Sequence, residues 1–134
     1  MPEYATEHSA AVDLRAALDG KSVRLAAHST VSIPTGVAIA PEGHDVVSIL
    51  ASRGGLAAKH GIQLVNGIGV IDSDYRGEIC AVLHNTSDED YTIEDGERVA
   101  QLFFVPVLHG NFIKAEELDT TERGVGGFGS TGKF

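Results

Sequence analysis

Cysteine is almost missing from this chain. Cys80 stands alone, so no internal disulfide can form, no cysteine metal cluster can be built, and a reducing compartment is expected. Cations are scarce as well. Ten Lys and Arg against nineteen Asp and Glu give a net charge of −9, which argues against a ligand held by long-range attraction to a basic surface, duplex nucleic acid first among them. A polyanionic ligand would need contacts that are few, local and helped by a cation. No apolar run reaches the length of a membrane span, and the opening Met1-Pro2-Glu3-Tyr4-Ala5-Thr6-Glu7 has neither the basic nor the apolar region of a signal peptide. The expectation is a soluble intracellular protein with no membrane or nucleic-acid partner. The six histidines include no close pair at metal-ligand spacing, which leaves zinc chemistry without support. A Gly-x-Ser-x-Gly elbow is absent too, and with it the signature of a serine hydrolase.

What is present has the pattern of a small β domain. The 134 residues suffice for one core but not two, and the 43% hydrophobic content is that of a globular chain. Between residues 22 and 52 the apolar residues come in strand-sized runs: Val23 and Leu25, then Val31, Ile33, Val37 and Ile39, then residues 46–50. Leu18-Asp19-Gly20, Pro34-Thr35-Gly36 and Pro41-Glu42-Gly43 punctuate them as turns. Further strands are expected over residues 62–65, 78–85, 91–93 and 98–108, with 112–115 able to form a last one. Short strands with frequent turns imply a sandwich or barrel. In a strand reading Asp13 faces away from Val12 and Leu14, toward solvent. Gln101, inside the most apolar segment, is either a satisfied buried amide or a ligand contact, and Pro106 marks an edge or the strand's departure from its sheet.

Arg53-Gly54-Gly55-Leu56-Ala57-Ala58-Lys59-His60-Gly61 breaks the β rhythm. It predicts one or two helical turns preceded by glycines and closed by Gly61, whose free amides can meet an anion with Arg53 at their mouth; a plain strand-to-helix connection fits equally well. Downstream, Asn66-Gly67-Ile68-Gly69 leads into Val70-Ile71-Asp72-Ser73-Asp74-Tyr75-Arg76-Gly77-Glu78, which reads as a hairpin turning at Ser73-Asp74 and returning through Ile79, Ala81 and Leu83. On such a turn the Asp72 carboxylate and the Tyr75 ring face one small concave space, although an aspartate in a turn commonly does no more than turn the chain. Two glycines in an apolar strand suggest that something approaches the backbone closely, and a flat polar ring would suit. Residues 123–134 hold too many glycines to fold alone. Gly127 to Lys133 match the start of a phosphate-binding P-loop, but Phe134 replaces the required hydroxyl residue, so that reading is rejected.

These pieces together resemble the trimeric dUTPase family, whose five motifs run in order. Ser9-Ala10-Ala11-Val12-Asp13-Leu14-Arg15-Ala16 is similar to the first; Arg53-Gly54-Gly55-Leu56-Ala57 with Lys59-His60-Gly61-Ile62 to the second; Asn66 with residues 69–78 to the third; Gly96-Glu97-Arg98-Val99-Ala100-Gln101-Leu102 to the fourth; and residues 123–132 to the fifth. The resemblance implies an all-β, jelly-roll-like domain with one short helix over residues 1–122. It also implies a homotrimer with exchanged C-terminal segments, in which a flexible tail over residues 123–134 closes over a neighbouring site. Asp72 would activate a water for attack on the α-phosphorus of dUTP, giving dUMP and pyrophosphate, as a base that accepts a proton through a hydrogen bond. Asn66 would pair with the uracil edge beside main chain near Val70, Ile71 and Cys80, and Tyr75 would pack under the deoxyribose and exclude a 2′-hydroxyl. Arg53, the amides of Gly54 and Gly55, and Gln101 would hold phosphate oxygens, while Arg123, Phe128, Gly129, Ser130 and Thr131 would form a lid. Mg²⁺ would be chelated mostly by the triphosphate and reached by Asp13 through its water shell, as suits an ion that takes few protein ligands.

The second motif departs from the family pattern. Where Arg-Ser-Gly or Arg-Ser-Ser is usual, this chain reads Arg53-Gly54-Gly55, and Ser52 sits one place too early to supply the hydroxyl. Losing one preorganised donor to developing charge costs on the order of a hundredfold or more in rate. Two other readings share the fold: a dCTP deaminase relative, with Glu78 as the nearby catalytic candidate, and a nucleotide-binding regulator that has lost turnover.

Overall fold

The computed structural model describes residues 1–128. Nine strands and one helix follow in order: β1 Val12–Arg15, β2 Ser22–Leu25, β3 Thr30–Pro34, β4 Val46–Ser52, α1 Gly54–His60, β5 Ile62–Leu64, β6 Ile68–Ile71, β7 Cys80–Asn85, β8 Tyr91–Glu94 and β9 Arg98–Pro106. All named pairings are antiparallel. They build a four-stranded sheet in the order β1-β9-β4-β6, a three-stranded sheet β3-β7-β5 and a two-stranded sheet β2-β8. The result is the all-β, jelly-roll-like architecture expected, with one short helix among the described residues.

Period-two patterning explains how the sheets close on one core. Along β7 the alternation turns Ala81, Leu83 and Asn85 inward, and along β4 it buries Ser48 and Leu50. Leu14, Leu25, Ile33, Ile62, Leu83, Ile93 and Leu102, drawn from seven different strands, are all but sealed from solvent in one cluster. Each such side chain contributes roughly 1.5–3 kcal/mol relative to exposure. Removing one near the middle would therefore loosen several strands at once.

One irregularity interrupts the alternation. β1 and β9 pair Val12 with Leu102, Asp13 with Gln101 and Leu14 with Ala100, and then the register slips so that Arg15 meets Arg98. Val99 is the extra residue of a β-bulge. Because of it, Val99 and Ala100 both point into the core, and Arg98 is turned to the outer face.

Two expectations fail here. Residues 69–78 do not form a hairpin: β6 pairs with β4, whereas β7 pairs with β3 and β5 in another sheet. The turn residues do turn the chain, but they carry it between sheets, and local turn chemistry cannot distinguish that from a return to the neighbouring strand. Residues 112–115 form no strand either; among the described residues regular structure ends at Pro106, and nearly all of 107–128 is exposed. Pro106, which has no amide to offer a ladder, closes β9 opposite Val46 as its chemistry suggests. No helix among the described residues is long and apolar enough to cross a membrane.

Candidate active site

One hollow lies where β6 leaves its sheet. Asn66, Gly69, Val70, Ile71, Asp72, Tyr75 and Cys80 line it, with Leu50, Leu64, Ile79 and Val82 as its apolar wall and Glu78 at its edge. Its volume of about 230 Å³ is slightly below the usual range for small-molecule sites. Asn66, Asp72 and Tyr75, named from sequence as one constellation, are thus gathered in one place. The four ion pairs among the described residues leave the Asp72 carboxylate out, and its backbone carbonyl accepts the Tyr75 amide at 3.1 Å, which tightens the turn.

Gly67 takes φ +72° with nothing near it, so it is a turn residue, and what approaches Gly69 is the Leu50 side chain, 3.1 Å from where a Cβ would stand. The tightest approach is at Gly77. A Cβ there would lie 2.2 Å from the Tyr75 Oη and 2.5 Å from Cζ, so the phenol ring rests directly on the Gly77 backbone. Its hydroxyl donates to the Glu78 carbonyl at 3.2 Å. The Glu78 carboxylate accepts the Gly36 amide at 2.7 Å, and the Thr35 hydroxyl donates to the Ile79 carbonyl at 2.6 Å, so the loop is tied to the end of β3. Thr35 and Gly36 are supporting residues that sequence reasoning missed, with only the Pro34-Thr35-Gly36 turn signal marking their neighbourhood; Gly77 was read as part of the turn, not as a seat for the ring.

The second hollow lies on the outer face of the four-stranded sheet. Asp13, Arg53, Gly54, Gly55 and Gln101 line it together with Ala5 and residues 9–11. Strand register explains the gathering: Asp13 of β1 stands beside Gln101 of β9, which stands beside Ala51 of β4, and β4 runs straight into Arg53. Gly54 and Gly55 open α1 instead of preceding it, and Arg53 is its N-cap with no side-chain cap bond, so the first amides are left to solvent or ligand. Gly61 ends the helix in the left-handed conformation, as its sequence position suggested. The Arg53 Nε donates to Asp13 Oδ1 at 2.8 Å, which corrects the picture of Asp13 as a merely solvated carboxylate. Gln101 donates through Nε2 to the Ser52 carbonyl at 2.9 Å and still lines the hollow. The Ser52 hydroxyl accepts the Leu64 amide at 2.8 Å on the other side of the strand, so it cannot stand in for a hydroxyl at position 54.

Arg123 and Phe128 belong to neither hollow. Arg123 donates to the Gly126 carbonyl within its own turn, and Phe128 is fully exposed. Gly129, Ser130 and Thr131 lie outside the described residues. The displaced titrations also lie elsewhere. Burial and the hydrogen bond to Glu97 push the Tyr91 phenol up to about 12, while the Leu18 and Gly20 amides hold the Asp95 carboxyl below its usual range.

The fold and these hollows define a class: an all-β, jelly-roll-like domain with an apolar-walled pocket and a separate groove that holds Arg53, Asp13 and Gln101. The family model described as dUTPase matches residues 1–132. Deoxyuridine 5′-triphosphate nucleotidohydrolase of Desulfitobacterium hafniense is 48% identical over 132 residues, 98% of this chain and 87% of that one. Its counterpart in Salmonella arizonae is 47% identical over 133 residues, 99% of this chain and 87% of that one. Among solved structures, a mutant of Staphylococcus bacteriophage 80alpha dUTPase with dUpNHpp superposes with a TM-score of 0.85 at 28% identity, covering 98% of this chain and 91% of that one. The Streptococcus mutans dUTPase does so with a TM-score of 0.76 at 34% identity, covering 84% and 89%. The chain belongs to the dUTPase family, a family of enzymes.

Proposed function

We propose that this protein is a dUTP diphosphatase that hydrolyses dUTP to dUMP and pyrophosphate, with Asp72 as the base. The observation that carries the reading is the joint lining of one hollow by Asn66, Asp72 and Tyr75, with Arg53, Gly54, Gly55 and Gln101 gathered in another. Asn66 and main chain near Val70, Ile71 and Cys80 pair with the uracil edge, and the Tyr75 ring packs under the deoxyribose where a 2′-hydroxyl would collide. Asp72 takes a proton from water as the water oxygen bonds to the α-phosphorus. The bond from that phosphorus to the bridging oxygen breaks, and pyrophosphate departs with the electron pair. Arg53 and the helix amides neutralise phosphate charge, which costs no reorganisation at the moment of reaction.

The two hollows of one chain share no lining residue, and Arg123 and Phe128 reach neither. Leu108, Phe112, Ile113, Leu118, Val125 and Phe128 are exposed in a segment with no regular structure. Both facts support a homotrimer in which one chain supplies the nucleoside pocket, a second the phosphate groove and a third the tail over residues 123–134. Asp13 lies in the groove with lone pairs to spare beyond its two arginine bonds, so the donor set fits Mg²⁺ bound through water. When bound, that ion offsets triphosphate charge and orients the phosphates.

The test is release of pyrophosphate from dUTP, UTP, dTTP and dCTP, with ammonia followed in parallel. Turnover of dUTP alone is expected; ammonia from dCTP would move the protein to the deaminases, against which the engagement of Glu78 by Gly36 already argues. Gly54 favours one further reading, a nucleotide-binding regulator without turnover, which would bind dUTP and release nothing.

A further inference from the structure

The sequence motifs name Arg53 and Asp13 as site residues and give Arg98 no role. Yet Asp13 is held from both sides. Arg53 Nε donates to its Oδ1 at 2.8 Å, Arg98 donates through a terminal guanidinium nitrogen to its Oδ2 at 3.3 Å, and Arg53 reaches the Arg98 carbonyl at 3.2 Å. The β-bulge at Val99 makes this possible, because strict alternation from Ala100 would have sent the Arg98 side chain into the core. Bulges beside sites commonly re-aim a side chain in this way. Arg98 is also kept off the ligand side: it lines a separate hollow with Arg15, Thr35 and the first five residues, while Arg53 lines the phosphate groove, and Asp13 is part of both walls.

The geometry points to Arg98 as a positioning residue that holds Asp13, and through it the Arg53 guanidinium, in the orientation that receives the triphosphate. The inference rests on the groove being the phosphate site. A carboxylate bridging two guanidinium groups has its rotation fixed at both oxygens, and a guanidinium already clamped by that carboxylate and a carbonyl loses less freedom on meeting a phosphate. With Arg98 gone, Asp13 is held only at Oδ1, and the pair can swing as a unit.

Removing the Arg98 side chain as Arg98→Met keeps the carbonyl that Arg53 uses and the length of an apolar stem. Calorimetric titration with inorganic tripolyphosphate and with dUMP, alongside KM and kcat for dUTP, is the experiment. Arg98→Met is expected to weaken tripolyphosphate binding and raise the KM for dUTP by about tenfold, within the range of coupling among residues of one network. Affinity for dUMP should change less than twofold, and Arg98→Lys should recover only part of the loss because an ammonium cannot reproduce the guanidinium geometry. In an Asp13→Asn background the same Arg98→Met change should have little further effect, since its route to the ligand is already cut. If the two substitutions multiply instead, Arg98 acts on phosphate directly and the inference falls. It falls equally if dUMP binding weakens as much as tripolyphosphate binding, or if the parent does not bind tripolyphosphate. A parent that binds tripolyphosphate with this pattern yet turns over no dUTP would overturn the proposed function and leave the inference standing.

Discussion

Gly77→Ala is the smallest change that tests how the nucleoside pocket discriminates. Gly77 is not among the glycines with left-handed backbone, so alanine meets no conformational barrier there, and space alone is at issue. The added methyl would sit 2.2 Å from the Tyr75 Oη and 2.5 Å from Cζ, far inside contact distance. Trimming the hydroxyl alone would not relieve it, so the ring must shift off the Gly77 backbone. Its departure gives up the bond to the Glu78 carbonyl, a net loss of about 0.5–1.5 kcal/mol. Tyr75 is 46% exposed where it stands, so little burial is lost with it. Stability should therefore fall modestly, by about 2–6 °C in melting temperature for a domain of this size. Selectivity should fall further: if the ring is what collides with a 2′-hydroxyl, the ratio of kcat/KM for dUTP over UTP should drop on the order of tenfold to a hundredfold. Steady-state assays on both nucleotides measure this, with Tyr75→Ala as the reference. The reasoning fails if Gly77→Ala keeps the parental ratio, or if it lowers that ratio equally when Tyr75 is already alanine.

Other expectations concern single groups. Nothing stands within 4 Å of a Cβ at Gly54, so Gly54→Ser introduces its hydroxyl without collision; kcat for dUTP should rise on the order of a hundredfold with a smaller change in KM, and equal turnover would make the missing hydroxyl irrelevant. Asp72→Asn removes the base from a residue with no ion pair in the described structure; kcat should fall by about a hundredfold or more while the melting temperature stays put, and parental turnover would sink the mechanism. The Asp95 carboxyl titrates below 3.8 because amides hold its charged form, so its contribution is present above that value and lost as pH falls through the lowered pKa. Urea midpoints of parent and Asp95→Asn should differ at pH 7 and draw together as pH falls below 3.8. Tyr91 runs the other way: its pKa is raised to about 12, so its contribution is complete below pH 10 and lost between 10 and 12. Tyr91→Phe should flatten that alkaline decline in denaturation curves.

Much of the domain was legible because its signals are local. Strands β2, β3, β4, β5, β7, β8 and β9 fall where alternation and turn residues suggest, and Gly61 closes α1 with φ +70°. What escaped was partnership. Whether residues 72–79 return to a neighbouring strand or cross to another sheet depends on how β4 and β3 compete for the two segments, and no window of ten residues holds that information. The bulge at Val99 was equally hidden, since Arg98-Val99-Ala100 reads as ordinary strand until Leu14 and Arg15 are laid beside it. Candidate site residues were named as a set through motif resemblance. The contacts that fix them, Glu78 on Gly36 and Asp13 between two arginines, join positions about forty or more apart in sequence.

The same long-range contacts answer how a chain of net charge −9 can be built to receive a triphosphate. Diffuse repulsion from distant carboxylates is damped over a Debye length of about 8 Å at physiological ionic strength, so charges in contact with the ligand dominate. In the proposed phosphate groove those would be Arg53 and the uncapped amides of α1, and the carboxylate that lines it with them, Asp13, is already engaged at both oxygens. An unpaired aspartate there would oppose the phosphates. Held between Arg53 and Arg98, its charge is offset by two guanidinium groups instead of standing alone against the phosphates. Acidity elsewhere is then compatible with phosphate binding: Asp90 is spent on Arg24 and the Ala27 amide, and Asp95 on backbone amides. Two of the acidic groups are thus tied into turns by their own partners, and local pairing, more than overall charge, sets what this face can bind.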